Sequence, residues 1–197
     1  MQQKHQISRG IFLLCLALIL CAAAWVRVYD LDWDEGTHLH PDERYLTMVT
    51  AALEFPESLH QYWDTATSPL NPENRGFGGY VYGTLPLFVA RAAGSWLDHA
   101  CTEAPPFLPR LARALLFDSR QPCYAGQYTG YGGVHLVGRY LSTLADLMSL
   151  LALVLLARRL FGEPIALLAG LLYAFAVLPI QHAHFFVVDS FATVFVT

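Results

Sequence analysis

Charge is what this sequence has least of. Only 14% of its 197 residues are Asp, Glu, Lys or Arg, while 55% are hydrophobic; a soluble domain usually carries about 25% charge. A shortfall of that size excludes a surface that faces water throughout. Basic charge is the scarcer sign, with 12 Lys and Arg against 16 Asp and Glu and a net charge of −4. That excludes the basic face needed to neutralise phosphates, so nucleic acid is not an expected partner. There is no Gly-rich phosphate loop, no nucleophile elbow, no clustered C-x-x-C, no internal repeat and no low-complexity tract.

What is present are long apolar runs. A bilayer core needs about 20 mostly apolar residues per helix, and the first candidate covers residues 10–29, after a short segment 1–9 that contains Lys4 and Arg9. The basic start and Ala22-Ala23-Ala24 suggest a signal peptide. The run nevertheless outlasts an h-region of about 7–15 residues, and Trp25 and Tyr29 supply an interfacial anchor, so it reads as an uncleaved span. The second and third spans are expected at 135–157 and 164–180, joined by the basic turn 158–163. An external turn, 181–190, leads to an apolar run at 191–197, the expected start of a fourth span. That run has no stop signal, so the chain reads as the N-terminal part of a longer protein or a truncated gene.

Orientation follows from the basic residues. Lys4 and Arg9 place the N-terminus in the cytoplasm, and two spans later Arg158 and Arg159 return there. The segment 30–134 is then external, with 13 acids against six arginines. It is too long and too patterned for a linker. Tyr45, Leu46, Val49, Ala52 and Leu53 recur at helical spacing after Pro41, and Pro56 ends that helix. Residues 87–97, interrupted by Arg91, read as interfacial or re-entrant. Aromatic, glycine-rich stretches occupy 76–86 and 124–133. Cys101 and Cys123 fall where oxidation is permitted; a disulfide and two free thiols are both open.

Few residues can carry chemistry. Asp42 and Glu43 would occupy the first turn of the helix after Pro41, where acids complement the dipole with no further purpose; they are also a candidate catalytic pair. Asp189, beside a span, is either a turn residue or a functional acid. Asp146, inside the second span, is expected to pair within the bundle. Arg139 is either a snorkelling anchor or a phosphate-binding cation. His38/His40 and His182/His184 form two H-x-H pairs of a type zinc accepts, without a fixed metal spacing.

The ordered set resembles the N-terminal part of the multi-spanning glycosyltransferases that use lipid-phosphate-linked sugars, such as protein O-mannosyltransferases and aminoarabinose transferases. The matching pieces are His40-Pro41-Asp42-Glu43-Arg44-Tyr45, Tyr82-Gly83-Thr84-Leu85-Pro86-Leu87 and Gly138-Arg139-Tyr140-Leu141-Ser142. Arg158-Arg159-Leu160-Phe161-Gly162 and Gln181-His182-Ala183-His184-Phe185, with Val188-Asp189-Ser190, complete them. The resemblance implies an all-α, multi-spanning type C glycosyltransferase fold whose long external loop bears interfacial helices. It implies Asp42 as catalytic base with Glu43 beside it, Arg139 on the donor phosphate, and Asp189, His182 and His184 positioning acceptor or base. The reaction is transfer with inversion to a hydroxyl of a glycan, lipid or protein, at the outer face of the plasma membrane. No cofactor is required by that chemistry, although a divalent metal on His38 and His40 stays open. The alternatives are a metal- or ion-binding transporter using His38, His40, His182, His184 and Asp189, and a non-catalytic membrane fragment.

Overall fold

The computed structural model describes residues 8–117 and 122–197. Lys4, Asp118 and Arg120, used above for orientation and charge counts, lie outside the described residues. The described residues are 68% helical, with no strand among them. In chain order the helices are α1 (Arg9–Val28), α2 (Pro41–Ala52), α3 (Leu59–Trp63), α4 (Leu85–Asp98) and α5 (Phe107–Leu116). They continue as α6 (Tyr131–Phe161), α7 (Glu163–Ala174), α8 (Val177–Ala183) and α9 (Val188–Val196), with short 3₁₀ turns at Pro72–Arg75 and His99–Cys101. Two of them, α1 and α6, are long and apolar enough to cross a membrane; α7 and α8 together make a third if the bent pair counts as one span.

The chain divides into two compact units, Met1–Trp33 with Arg139–Thr197 (the span unit) and Asp34–Gly138 (the loop unit). In the span unit, Phe12, Leu16, Ile19 and Ala23 of α1 form an inner stripe at three- and four-residue steps. It packs with Leu150, Val154 and Ala157 of α6 and Ala166 and Ala174 of α7. Small residues let these backbones approach, as is usual where lipid supplies no driving force between helices. The opposite faces expose Leu14, Leu18, Leu151 and Leu155. Arg158 lies over the Phe12 ring at 4.3 Å and pairs with Glu163 at 2.6 Å, which fixes the turn between α6 and α7.

The expected third span, 164–180, is not one helix. It breaks at Phe175–Ala176 and turns by 56° between α7 and α8. Pro179 is the physical reason. In a continuous helix its ring would meet the carbonyl of Phe175, four residues back, and it has no N–H to donate there. At the third position of α8 the same residue is tolerated. The break frees the carbonyl of Ala174, which accepts a hydrogen bond from Arg27 Nη1 at 2.9 Å. A spanning segment tolerates such a break when a neighbour satisfies the released backbone group.

The loop unit has its own core. Leu46 and Val49 of α2 and Leu53 just after it, with Leu87, Ala90 and Leu97 of α4, are buried, and the two helices pack together. Both expected helices are present, including the one interrupted by Arg91, whose Nη1 donates to the carbonyls of Thr129 (3.0 Å) and Ala51 (3.4 Å). Burial pushes the Arg91 pKa down from its ordinary value, with Glu54 and Asp98 acting the other way. Asp98 accepts from Tyr128 N at 2.8 Å and from the Thr129 hydroxyl at 2.7 Å. Gly94 permits that approach, because a Cβ there would lie 2.3 Å from the Tyr128 carbonyl oxygen. Cys101 and Cys123 are joined in a disulfide.

Candidate functional site

The N-terminus of α2 assembles the acidic segment. His40 is the N-cap, its Nδ1 accepting from Glu43 N at 3.4 Å, and Pro41 opens the helix. Proline suits that position because its missing N–H would have no partner in the first turn. Asp42 and Glu43 follow, in the field of the positive helix end. Their environments differ sharply. Glu43 is fully buried in the loop unit, whereas Asp42 is exposed. Of the two adjacent acids, Asp42 alone stands where a soluble acceptor could reach it.

Asp42 sits beside an aromatic surface. The Tyr82 hydroxyl donates to Asp42 Oδ1 at 3.1 Å. Tyr45 stacks on Tyr80 with ring centroids 6.1 Å apart, and Phe77 and Tyr82 lie about the same ring at 6.0 and 6.2 Å. Tyr80 donates to the Gly83 carbonyl at 3.2 Å. Burial raises the Tyr80 pKa far above its ordinary value of 10, with Tyr45 and Tyr82 adding to the effect, so it stays a neutral phenol. Arg44 turns away from this surface and forks to the His38 carbonyl, both Nε and Nη2 at 3.1 Å.

The span unit holds a second set. His182 of α8 and Asp189 of α9 line a cavity of about 440 Å³, together with Asp146 of α6 and Tyr173 of α7. Leu178, Pro179 and Val196 give it apolar walls. Behind it, Asp146 is saturated: Arg27 Nε donates to Oδ2 at 2.5 Å and the Tyr173 hydroxyl to Oδ1 at 2.9 Å. Asp146 therefore pairs within the bundle, and its partner is a fully buried arginine at the end of the first span.

His184 and Arg139 go elsewhere. His184 contacts backbone carbonyls through both ring nitrogens, Ile180 at 2.8 Å and Tyr29 at 3.0 Å, and so fastens α8 to the end of α1. It does not line the cavity with His182. Arg139 is fully buried and donates to the Leu31 carbonyl at 2.7 Å. A snorkelling side chain keeps its head in water, and a phosphate-binding one must reach its ligand, so the buried position of Arg139 favours neither reading as it stands.

The histidines before α2 also part company. The His40 ring caps α2, while His38 is buried against His135 and Tyr131, ring centroids 4.3 and 4.4 Å away. His38 and His40, the pair left open for a metal, thus sit in different surroundings, and His38 lies beside His135 instead. Sequence reasoning missed Arg27, Tyr173 and His135 as site residues. The available signal was charge inside an apolar run for Arg27; for Tyr173 and His135 there was none. Comparison with protein-family models, curated proteins and solved structures returned no match.

Proposed function

We propose that the protein is a membrane glycosyltransferase that moves a sugar from a lipid-phosphate carrier to an acceptor hydroxyl on the external face. The observation that carries this reading is the exposed Asp42 carboxylate, held by the Tyr82 hydroxyl beside the Tyr45–Tyr80 aromatic surface. A sugar ring has apolar C–H faces that lie against aromatic rings and a rim of hydroxyls that donate to carboxylates. Asp42 offers both at one place.

In the proposed step Asp42 takes the proton of the acceptor hydroxyl while that oxygen bonds to the anomeric carbon. The bond from that carbon to the phosphate oxygen breaks, and the lipid phosphate leaves with the electron pair. Attack opposite the leaving group inverts the anomeric centre. The aromatic surface positions the reacting sugar or acceptor, and Glu43 acts from the core by holding the first turn of α2. In the span unit, His182, Asp189 and the cavity they line suit hydroxyl-rich groups better than phosphate, because carboxylates repel an anion. Arg139 is buried against Leu31, so its role on the donor phosphate requires that segment to yield. The multi-pass arrangement with a cytoplasmic N-terminus belongs to the same proposal; the Cys101–Cys123 disulfide supports an oxidising compartment for the loop unit.

The test uses the full chain in proteoliposomes with a panel of polyprenyl-phosphate sugars and hydroxyl acceptors, reading released polyprenyl phosphate. Asp42→Asn should lower release at least about 100-fold, the usual contribution of a general base, while the thermal midpoint stays within a degree or two. Undiminished release from a folded Asp42→Asn protein rejects the assignment.

A further inference from the structure

Residues 35–40, which precede α2 in the loop unit, have an unusual backbone. Glu35, Gly36 and His38 all lie in the left-handed region, at φ 48°, 73° and 50°. Glycine adopts it freely, but Glu and His enter it only where the surroundings hold them. The holding bonds are visible. Thr37 donates to the Asp34 carbonyl through its N–H (3.0 Å) and its hydroxyl (2.8 Å), Leu39 N donates to Asp34 Oδ2 at 3.4 Å, and Arg44 grips the His38 carbonyl.

The outcome is a convergence of three side chains inside the loop unit. Asp34, His38 and His135 are 6%, 2% and 1% exposed. The two imidazoles meet edge to face at 4.3 Å, and a carboxylate oxygen of Asp34 comes within 4.8 Å of a ring nitrogen of His135. Gly36 passes directly over the His135 ring, where an added Cβ would stand 3.9 Å from Cε1. His135 comes from the first turns of α6, 97 positions after His38 in the sequence. The turn therefore wraps one imidazole with another and a carboxylate, and sets them in a buried place with little room for bulk water.

We propose that Asp34, His38 and His135 form a binding site for a divalent transition metal of the zinc type, which ties the start of the loop unit to the N-terminal end of α6. Two imidazoles and one carboxylate are the donor set zinc takes when three protein ligands leave a fourth position for water; an all-oxygen cation such as magnesium or calcium is not suited by it. With bonds of about 2.1 Å, tetrahedral ligand atoms stand roughly 3.4 Å apart, somewhat closer than the 4.8 Å within which the Asp34 and His135 ligand atoms lie. Leu39 N on Oδ2 and the fixed turn orient the carboxylate, the kind of outer support that metal ligands ordinarily have. A metal here would hold the segment from which α2 and its Asp42 depart. The site does not depend on the glycosyltransferase reading, and its test reads metal rather than activity.

The full chain is purified in detergent without a histidine tag, incubated with zinc, desalted, and assayed for zinc by mass spectrometry. About one zinc per chain is expected, falling below about a fifth of that in His38→Ala and His135→Ala and unchanged in His40→Ala and His182→Ala. Should the alanine variants fail to fold, the unaltered protein decides: cobalt(II) should give the intense visible bands of a tetrahedral N/O site, displaced by zinc. Absence of both zinc and those bands overturns the proposal. So does zinc that persists in folded His38→Ala and His135→Ala, or that is lost on replacing His40 or His182.

Discussion

Arg27 performs two tasks with one guanidinium. It neutralises Asp146 through Nε, and through Nη1 it satisfies the carbonyls of Ala23 and Ala174, the second released by the break before Pro179. Removing one partner of a buried ion pair leaves the other charge uncompensated, which costs about 3–5 kcal/mol; replacing both by apolar groups of similar volume is often neutral. Arg27→Ala should therefore unfold at a markedly lower denaturant concentration in detergent, and Arg27→Met with Asp146→Leu should recover part of the loss. Recovery stays partial because the Ala174 carbonyl loses its donor in both. A single variant as stable as the double one would show that the pair is not the stabilising element. Asp146 was legible because an acid in an apolar run needs a partner. Arg27 carried the same signal, a charge inside an apolar run, but the rest of α1 is apolar all round and no polar face marks which stripe turns inward. Nor can a local pattern show a partner 119 residues away.

At the scale of elements, helical periodicity located α2, whereas α4 was legible only as an apolar segment, 87–97, read as interfacial or re-entrant. Periodicity does not carry what proline does: Pro179 bends residues 164–180 into α7 and α8, a pair that still makes one span if counted together. α5 went unassigned for the opposite reason: Pro105, Pro106 and Pro109 made the segment look like loop, although Pro109 sits in a first turn, where no helical N–H is needed. How α4 meets the 128–129 backbone was also invisible, since Gly94 in a sequence looks like any weak point in a helix. The structure gives it a specific task. Gly94→Ala would set its Cβ 2.3 Å from the Tyr128 oxygen, and backbone yields less readily than a side chain. The forced shift should cost about 1–3 kcal/mol, as overpacking usually does, and weaken the two hydrogen bonds that Asp98 makes to Tyr128 and Thr129. Hydrogen exchange at the Tyr128 amide should quicken by at least tenfold. Unchanged exchange and an unchanged unfolding midpoint would mean that α4 moves aside at no expense.

For the whole molecule, the basic residues give an expected sidedness, and the disulfide is a chemical mark against which to test it. The positive-inside reading rests on Arg9, Arg158 and Arg159, together with Lys4, and puts residues 30–134 outside. The disulfide bears on the same question independently, because thiols stay reduced in the cytoplasm of most cells. Cys101–Cys123 closes a stretch of the loop unit that includes α5, while the free thiols, Cys15 and Cys21, both lie in α1. In a Cys15→Ser, Cys21→Ser background, Cys101→Ser leaves Cys123 as the lone thiol. A membrane-impermeant maleimide should then label intact cells. Arg159→Cys, made with all four native cysteines replaced by serine, should react only after permeabilisation, because Arg159 is an exposed residue in the last turn of α6. The reverse pattern would invert the orientation and place Asp42 on the cytoplasmic side, where transfer at the external face could not occur. Labelling of both sites in intact cells would mean that the charge rule is not setting the sidedness of this chain. In the unaltered chain the maleimide should find no thiol in the loop unit until reductant is added, and the reductant should also expose the segment between residues 101 and 123 to protease. Early labelling without reductant would show that the disulfide does not form in cells, and would withdraw the support it gives to an external loop.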